Sequence, residues 1–232
     1  MAYIARGIPR PLHAIDTWIF DLDNTLYPAN CGLFERVQAK MNAYICTRFG
    51  MTLDEAAALR RKYFLEHGTT MNGLMTVDRI DPHEFLAFVH DVDLNVVPAN
   101  PALAEALAEL PGRKLVYTNG SVPHAERLLK HLGITDSFCG IFDIVASEFA
   151  PKPAAAPFRA FVERYRIEPK SALMVEDMAK NLVPAAALGM TTAWVPTGVD
   201  WAETGSAAEH IHYVVEDLAG FLTAATKARA SP

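Results

Sequence analysis

Asp21 and Asp23 stand two residues apart directly behind the apolar run Trp18-Ile19-Phe20. If that run is a buried strand, its period of two turns both carboxylates toward one side, where the sheet ends and a ligand can reach them. Two like charges held close in a partly dry crevice repel each other and raise one pKa unless a cation sits between them. The pair therefore reads as half of a metal and acid/base site. Three further stations follow it in the chain: Thr118-Asn119-Gly120, Lys152 between two prolines, and Glu176-Asp177. Singly, each has a plainer reading. The two aspartates could form a cap or turn, Asn119-Gly120 is a common turn pair, Lys152 could be solvated, and Glu176-Asp177 could cap a helix beginning near Met178. Their order, and the strand-like run beside each, carry the inference.

The elements that position them alternate between strand and helix. Strand-like runs occur at Thr17-Phe20, Lys114-Thr118, Ile141-Ala146, Ala172-Val175 and Thr192-Val195, with a weaker one at Tyr213-Val214. Helical patterns lie between them, at Ala102-Leu110 and from about His124 to His131. Such alternation predicts an α/β fold, a Rossmann-like parallel sheet covered by helices on both faces. The interval after the first strand is different. Phe34, Val37, Met41, Ile45 and Phe49 recur at helical spacing, Thr52 and Glu55 form a capping-box start, His67-Gly68-Thr69-Thr70 punctuates, and Asp81-Pro82 opens another short helix. The division expected is a core of residues 1–28 and 99–232 with an all-helical cap, 29–98, inserted after strand one.

At 232 residues and 51% hydrophobic composition the chain can bury a sizeable core. A formal charge of -6 gives no electrostatic footprint for a nucleic-acid polymer or an anionic membrane, though a small phosphate ester remains open if a divalent cation inverts the local field. No run approaches the roughly 18 apolar residues of a membrane helix, and Met1 to Leu12 lacks the apolar stretch of a secretory signal. Cys31, Cys46 and Cys139 show no metal-type spacing and read as reduced thiols of a cytoplasmic protein. An apolar cap or core face could serve a homodimer.

With these four stations in order over nearly its whole length, the sequence resembles the haloacid dehalogenase-like hydrolases, a superfamily dominated by phosphatases. The resemblance implies that Asp21 attacks phosphorus to form an aspartyl-phosphate and that Asp23 protonates the leaving oxygen, then activates water. It implies Mg2+ held by Asp21, the Asp23 backbone carbonyl and Asp177, with Glu176 acting through a water or from behind. Thr118, the Asn119 N–H and Lys152 would bind the phosphoryl oxygens, and Thr25 would steady the first loop. Asn181, four residues after Asp177, stands where many relatives carry an aspartate; it either orients the site carboxylates or is a polar residue near a cap.

Within the superfamily the likeness is to helical-cap phosphatases of the pyrimidine 5'-nucleotidase kind, through Asp21-Leu22-Asp23-Asn24-Thr25-Leu26-Tyr27-Pro28, Thr118-Asn119-Gly120 followed by His124-Ala125, and, loosely, Tyr63 to Leu74. That implies hydrolysis of UMP or CMP. Thr69, Thr70, Met71 and Asn72 are the residues placed to read a base, with His124 at the rim of the phosphate pocket. Phosphoglycolate or sugar-phosphate phosphatases, a phosphomutase and a noncatalytic binding module are the competing readings. A haloacid dehalogenase would have no need for Asp23 or for Glu176-Asp177.

Overall fold

The computed structural model describes residues 2–6 and 11–230. Among these, seven strands, β1 (Tyr3–Ala5), β2 (Thr17–Phe20), β3 (Arg113–Tyr117), β4 (Gly140–Phe142), β5 (Ala172–Glu176), β6 (Thr191–Trp194) and β7 (Tyr213–Val215), make one sheet in the order β1-β7-β6-β5-β2-β3-β4. All pairings are parallel except β1 with β7. Every residue of β2 and β5 is buried, as expected of central parallel strands covered on both faces. Their alternation divides the core. Trp18, Phe20, Val116, Leu173 and Val175 pack into one layer, while Ile19, Leu115, Tyr117 and Met174 pack into the other.

Helices α1 (Leu33–Phe49), α2 (Leu53–His67), α3 (Thr70–Asp78) and α4 (Pro82–Val89) follow β2 as the helical insert; α5 (Pro101–Glu109) leads back to β3. The remaining helices are α6 (Val122–Leu132), α7 (Ala155–Tyr165), α8 (Val183–Ala187), α9 (Asp200–Glu203) and α10 (Leu218–Ala230). Local sequence sets their ends. Thr52 and Glu55 form the expected capping box, Asp81 accepts the His83 N–H ahead of Pro82, and Asn100 accepts the Leu103 N–H ahead of Pro101. No helix of the described residues is long and apolar enough to cross a membrane.

Three elements depart from the sequence reading. β1 is an added antiparallel edge strand of three residues, too short to show a period. The strand expected over 141–146 stops at Phe142 because Asp143 turns the chain, accepting the Ala146 N–H at 2.8 Å and the Val122 N–H at 3.0 Å. His67-Gly68-Thr69-Thr70 does break the chain between two helices, but the helix that follows, α3 over Thr70–Asp78, is not among the elements expected; Thr69 caps it through the Asn72 N–H. Gly73 permits this helix to lie against α2, since a Cβ there would fall 2.3 Å from the Tyr63 ring.

Gly112 precedes β3 with φ +95, and a Cβ on it would meet the Asp16 carbonyl oxygen at 2.3 Å. Gly133 shares the left-handed backbone but has nothing within 4 Å. Gly133→Ala is expected to cost about 1–2 kcal/mol of stability, and Gly112→Ala clearly more, since backbone must also move. Thermal unfolding of the two variants checks this; equal losses would show that the Asp16 carbonyl yields freely.

Candidate functional site

The carboxyl ends of β2, β3 and β5 deliver the site. Asp21 directly follows β2, and its N–H extends the ladder to the Val175 carbonyl at 2.9 Å. Thr118 directly follows β3 and donates its N–H to Phe142 at 3.0 Å, while Glu176 ends β5 with Asp177 next. Ligands of open α/β sheets bind at this edge, where successive connections leave in opposite directions from a central strand. Here β2 lies between β3 and β5. Lys152 enters from the segment after β4, its N–H held by Asn119 Oδ1 at 2.8 Å.

Asp21, Glu176 and Asp177 are all buried, with one oxygen from each within 4.8 Å of the others. The Lys152 ammonium sits among them, 2.7 Å from Asp21 Oδ1, 2.6 Å from Glu176 Oε2 and 2.9 Å from the Tyr117 carbonyl. Burial pushes Asp21 up to about 8, Glu176 adds to the rise, and Lys152 only partly opposes it. Asp177 is likewise held well above the usual carboxylate range by burial, then by Glu176 and Asp21. For Lys152 burial acts downward, yet Asp21 and Glu176 together hold it above the ordinary lysine value. Three carboxylates facing one ammonium leave two negative charges uncompensated when all are ionised. An all-oxygen, doubly negative set of this kind fits a divalent cation such as Mg2+.

Asp23 has a separate environment. Its Oδ1 accepts the Tyr27 hydroxyl at 2.8 Å and lies 3.0 Å from His124 Nε2. Burial acts to raise its pKa, but His124, with Tyr27 assisting, outweighs burial and holds Asp23 at about 2. The His90 ring stacks on His124 with centroids 4.3 Å apart and planes 13° from parallel; burial, then His124, pushes His90 down to about 3.

A cavity of about 540 Å3 joins these groups. Asp21, Asp23, Thr118, Asn119, Lys152, Glu176, Asp177 and Asn181 line its floor, and Val37, Met41, Arg60, Phe64, Met71 and Leu86 line its helical roof. Asn181 donates to Glu176 Oε1 at 3.1 Å, the contact that an orienting role requires. Thr25 is buried and lies outside this cavity's lining. Of the roof residues singled out in the sequence, Thr69, Thr70 and Met71 reach the cavity and Asn72 does not. The Thr70 hydroxyl donates to the Arg60 carbonyl and the Asn72 amide to the His67 carbonyl, so both serve the fold locally. His124 is in the wall, with Nε2 engaged by Asp23.

Sequence reasoning passed over Tyr27, His90, Asn24 and Trp194 as site residues. Asn24 adopts φ 61 and points its amide toward Asp177 Oδ2 at 3.5 Å, and Trp194 donates to the Asp177 carbonyl at 2.7 Å. A signal existed only for Asn24, as a residue type that tolerates the left-handed turn behind a strand.

The sequence pattern of the haloacid dehalogenase-like hydrolases matches residues 15–189. The chain is 31% identical over 189 residues to phosphoglycolate phosphatase of Rhodospirillum rubrum, covering 74% of this chain and 76% of that one. It is 29% identical over 199 residues to phosphate metabolism protein 8 of Saccharomyces cerevisiae, covering 79% of this chain but 62% of the yeast protein's length. The fold is similar to that of a phosphatase of this superfamily from Thermococcus onnurineus, with a TM-score of 0.57 at 19% identity over 85% of this chain and 100% of that one. It is similar also to L-2-haloacid dehalogenase from Xanthobacter autotrophicus, with a TM-score of 0.57 at 19% identity over 90% and 97%.

The carboxylate cluster makes stability depend on pH and cation together. Asp21 rises from 3.8 in the unfolded chain to about 8 in the metal-free fold, so the native state binds more protons between these values and stability falls as pH rises through that window. His90, lowered from 6.5 to about 3, has the opposite sign, but its contribution is complete above pH 6.5. Between pH 6.5 and 8 the metal-free protein is therefore expected to lose on the order of 1 kcal/mol per pH unit. Mg2+, binding ionised carboxylates, should restore more stability at pH 8 than at pH 6.5. Melting curves in chelator and in Mg2+ test this, and an equal Mg2+ increment at both pH values would count against it.

Proposed function

Because this chain belongs to the haloacid dehalogenase-like hydrolases, we propose that it is a Mg2+-dependent phosphomonoesterase working through an aspartyl-phosphate on Asp21. The observation that carries the reading is the presence of two differently set aspartates, Asp21 and Asp23, in one cavity with Thr118, Asn119 and Lys152. A carbon-directed dehalogenase would leave Asp23 and the Glu176-Asp177 pair without a task.

In the first step an Asp21 carboxylate oxygen bonds to phosphorus as the bond from phosphorus to the ester oxygen breaks, and Asp23 gives that oxygen a proton. In the second, Asp23 takes a proton from water as the water oxygen attacks phosphorus, releasing phosphate and restoring Asp21. At rest Asp23 is ionised, which suits the second step; a phosphoryl group beside it brings negative charge that favours its protonated form for the first. The Thr118 hydroxyl, the Asn119 N–H and the Lys152 ammonium bind the phosphoryl oxygens, and Asn181 keeps Glu176 turned toward Lys152. Asp21, Asp177 and the Asp23 carbonyl would hold Mg2+, with Glu176 behind them, and its charge would offset that of the phosphoryl oxygens.

We take residues 29–98 as a cap that selects the leaving group. Its roof is apolar at Val37, Met41, Phe64 and Met71 and cationic at Arg60, and the cavity is within the range of sites that enclose a ligand well beyond glycolate in size. This favours a pyrimidine nucleoside 5'-monophosphate, UMP or CMP. Identity to phosphoglycolate phosphatase of Rhodospirillum rubrum favours a small acid ester as the second reading.

Phosphate release in Mg2+ from UMP, CMP, dUMP, AMP, phosphoglycolate and sugar phosphates separates these, with a kcat/KM preference for the pyrimidine nucleotides expected and chelator abolishing all release. Asp21→Asn should lower turnover by roughly 10^3-fold or more while the protein still melts cooperatively. Substantial residual Mg2+-dependent hydrolysis in that variant would remove Asp21 from the nucleophile's role. Met71→Ala should shift preference among esters more than it slows a generic aryl phosphate.

A further inference from the structure

Asp23 is held by only one of its oxygens. Oδ1 meets both the Tyr27 hydroxyl, at 2.8 Å, and His124 Nε2, at 3.0 Å, whereas among the described residues no hydrogen bond reaches Oδ2. The Asp23 side chain is 19% exposed and lines the cavity. Gly120, beside the Thr118-Asn119 pair, lies close by, so that a Cβ on it would come into ordinary contact with Oδ2 at 3.6 Å. One oxygen is thus tied and the other is left without a hydrogen bond among the described residues, on a side chain that lines the cavity.

The His124 ring is placed for this and for little else. Its side chain is 1% exposed, and its second nitrogen, Nδ1, is buried without a partner among the described residues. Its one polar contact is therefore with Asp23, and since Asp23 accepts, Nε2 carries the hydrogen. Rotation of the ring is blocked by His90, stacked at 4.3 Å. His90 is fixed in turn by Ser121 Oγ at 2.9 Å from its Nδ1 and by Arg127, which donates to its carbonyl at 2.9 Å. A histidine that served only to fill the core would need neither a carboxylate partner in a cavity wall nor a second ring pressed flat against it.

We propose that His124 is a positioning residue for Asp23: its Nε2–H, with the Tyr27 hydroxyl as second tether, holds Oδ1 so that Oδ2 alone is presented to the leaving oxygen. This rests on the phosphomonoesterase reading. His124 then touches neither substrate nor cation, and its loss acts on proton delivery rather than on binding.

The test compares phenyl phosphate with 4-nitrophenyl phosphate, esters of nearly the same shape whose leaving phenols differ in acidity. The more acidic nitrophenol departs with little protonation, so a misplaced acid is felt on phenyl phosphate. A positioned general acid is worth about 10^2–10^4-fold. His124→Ala should therefore lower kcat/KM, which reports the step in which the phenol departs, on phenyl phosphate by roughly ten-fold or more beyond its loss on 4-nitrophenyl phosphate. His124→Gln, which retains an N–H donor near the position of Nε2, should recover much of the difference. Tyr27→Phe, which keeps the ring volume, should give a smaller bias in the same direction and covers the case in which His124→Ala does not fold. Equal losses in kcat/KM on both esters would overturn the assignment. A wild-type protein that hydrolyses neither ester would overturn the phosphomonoesterase reading and this inference with it.

Discussion

Three buried carboxylates and a single ammonium at the ends of adjacent strands set the terms for the rest of this molecule. Removing an ion from water costs several kcal/mol even after the protein relaxes, and an ion pair recovers that only with close geometry. Lys152 has close geometry, 2.7 Å from Asp21 and 2.6 Å from Glu176, yet Asp21 is still pushed up to about 8. Desolvation and the neighbouring carboxylate therefore outweigh the lysine. The cluster is built to be incomplete on its own, and what completes it must bring positive charge to hard oxygen donors. Burial that would be a fault in a structural ion pair suits a set of oxygens that a divalent cation completes.

Such a cluster needs strands rather than loops to hold it. Phe20 lies in register with Val175 on one side and with Val116 on the other, so the next residues, Asp21, Glu176 and Tyr117, stand abreast where the ladder ends. Neighbouring strands are about 4.8 Å apart, which brings carboxylates on adjacent strands together without special loop geometry. A slip of one residue would turn Trp18 and Phe20 into the layer now holding Ile19, and Asp21 away from Lys152. Packing on both faces of β2 therefore protects the register that the chemistry requires.

The same reasoning explains what could be read from sequence. The parallel core was legible because β2, β3, β5 and β6 are short buried runs, and Asp21, Thr118 and Glu176 could be placed because each stands at the end of such a run. Thr52 and Glu55 announced α2 because a capping box is a local device. His90 was not legible: its role depends on His124, a stacking partner in a helix on the other side of β3, with no sequence period linking them. Tyr27 lay within the quoted motif, but only the fold shows its hydroxyl on Asp23. Thr70 and Asn72 show the converse, a local bond that no sequence pattern announced. Short polar side chains near a helix start readily bond to nearby backbone, and here the Thr70 hydroxyl and the Asn72 amide nitrogen both do so.

The floor and roof of the cavity answer to different constraints. Under the proposed chemistry the floor must match one invariant object, a phosphoryl group with its charge, and most of its residues are accordingly buried, mutually bonded and fixed by the sheet. The roof meets whatever the phosphate is attached to and is made of side chains such as Met41, Phe64 and Met71 that adapt in shape. Asp23 belongs to both. In the proposed mechanism it stands where the phosphoryl group ends and the leaving group begins, and it is the one carboxylate of the site secured by a histidine and a tyrosine. An acid at that boundary cannot share the cation that serves Asp21, because a cation bound to it would hold it permanently ionised. In the proposed mechanism the different partners of Asp21 and Asp23 would let one cavity contain a carboxylate for attacking phosphorus and another for moving a proton.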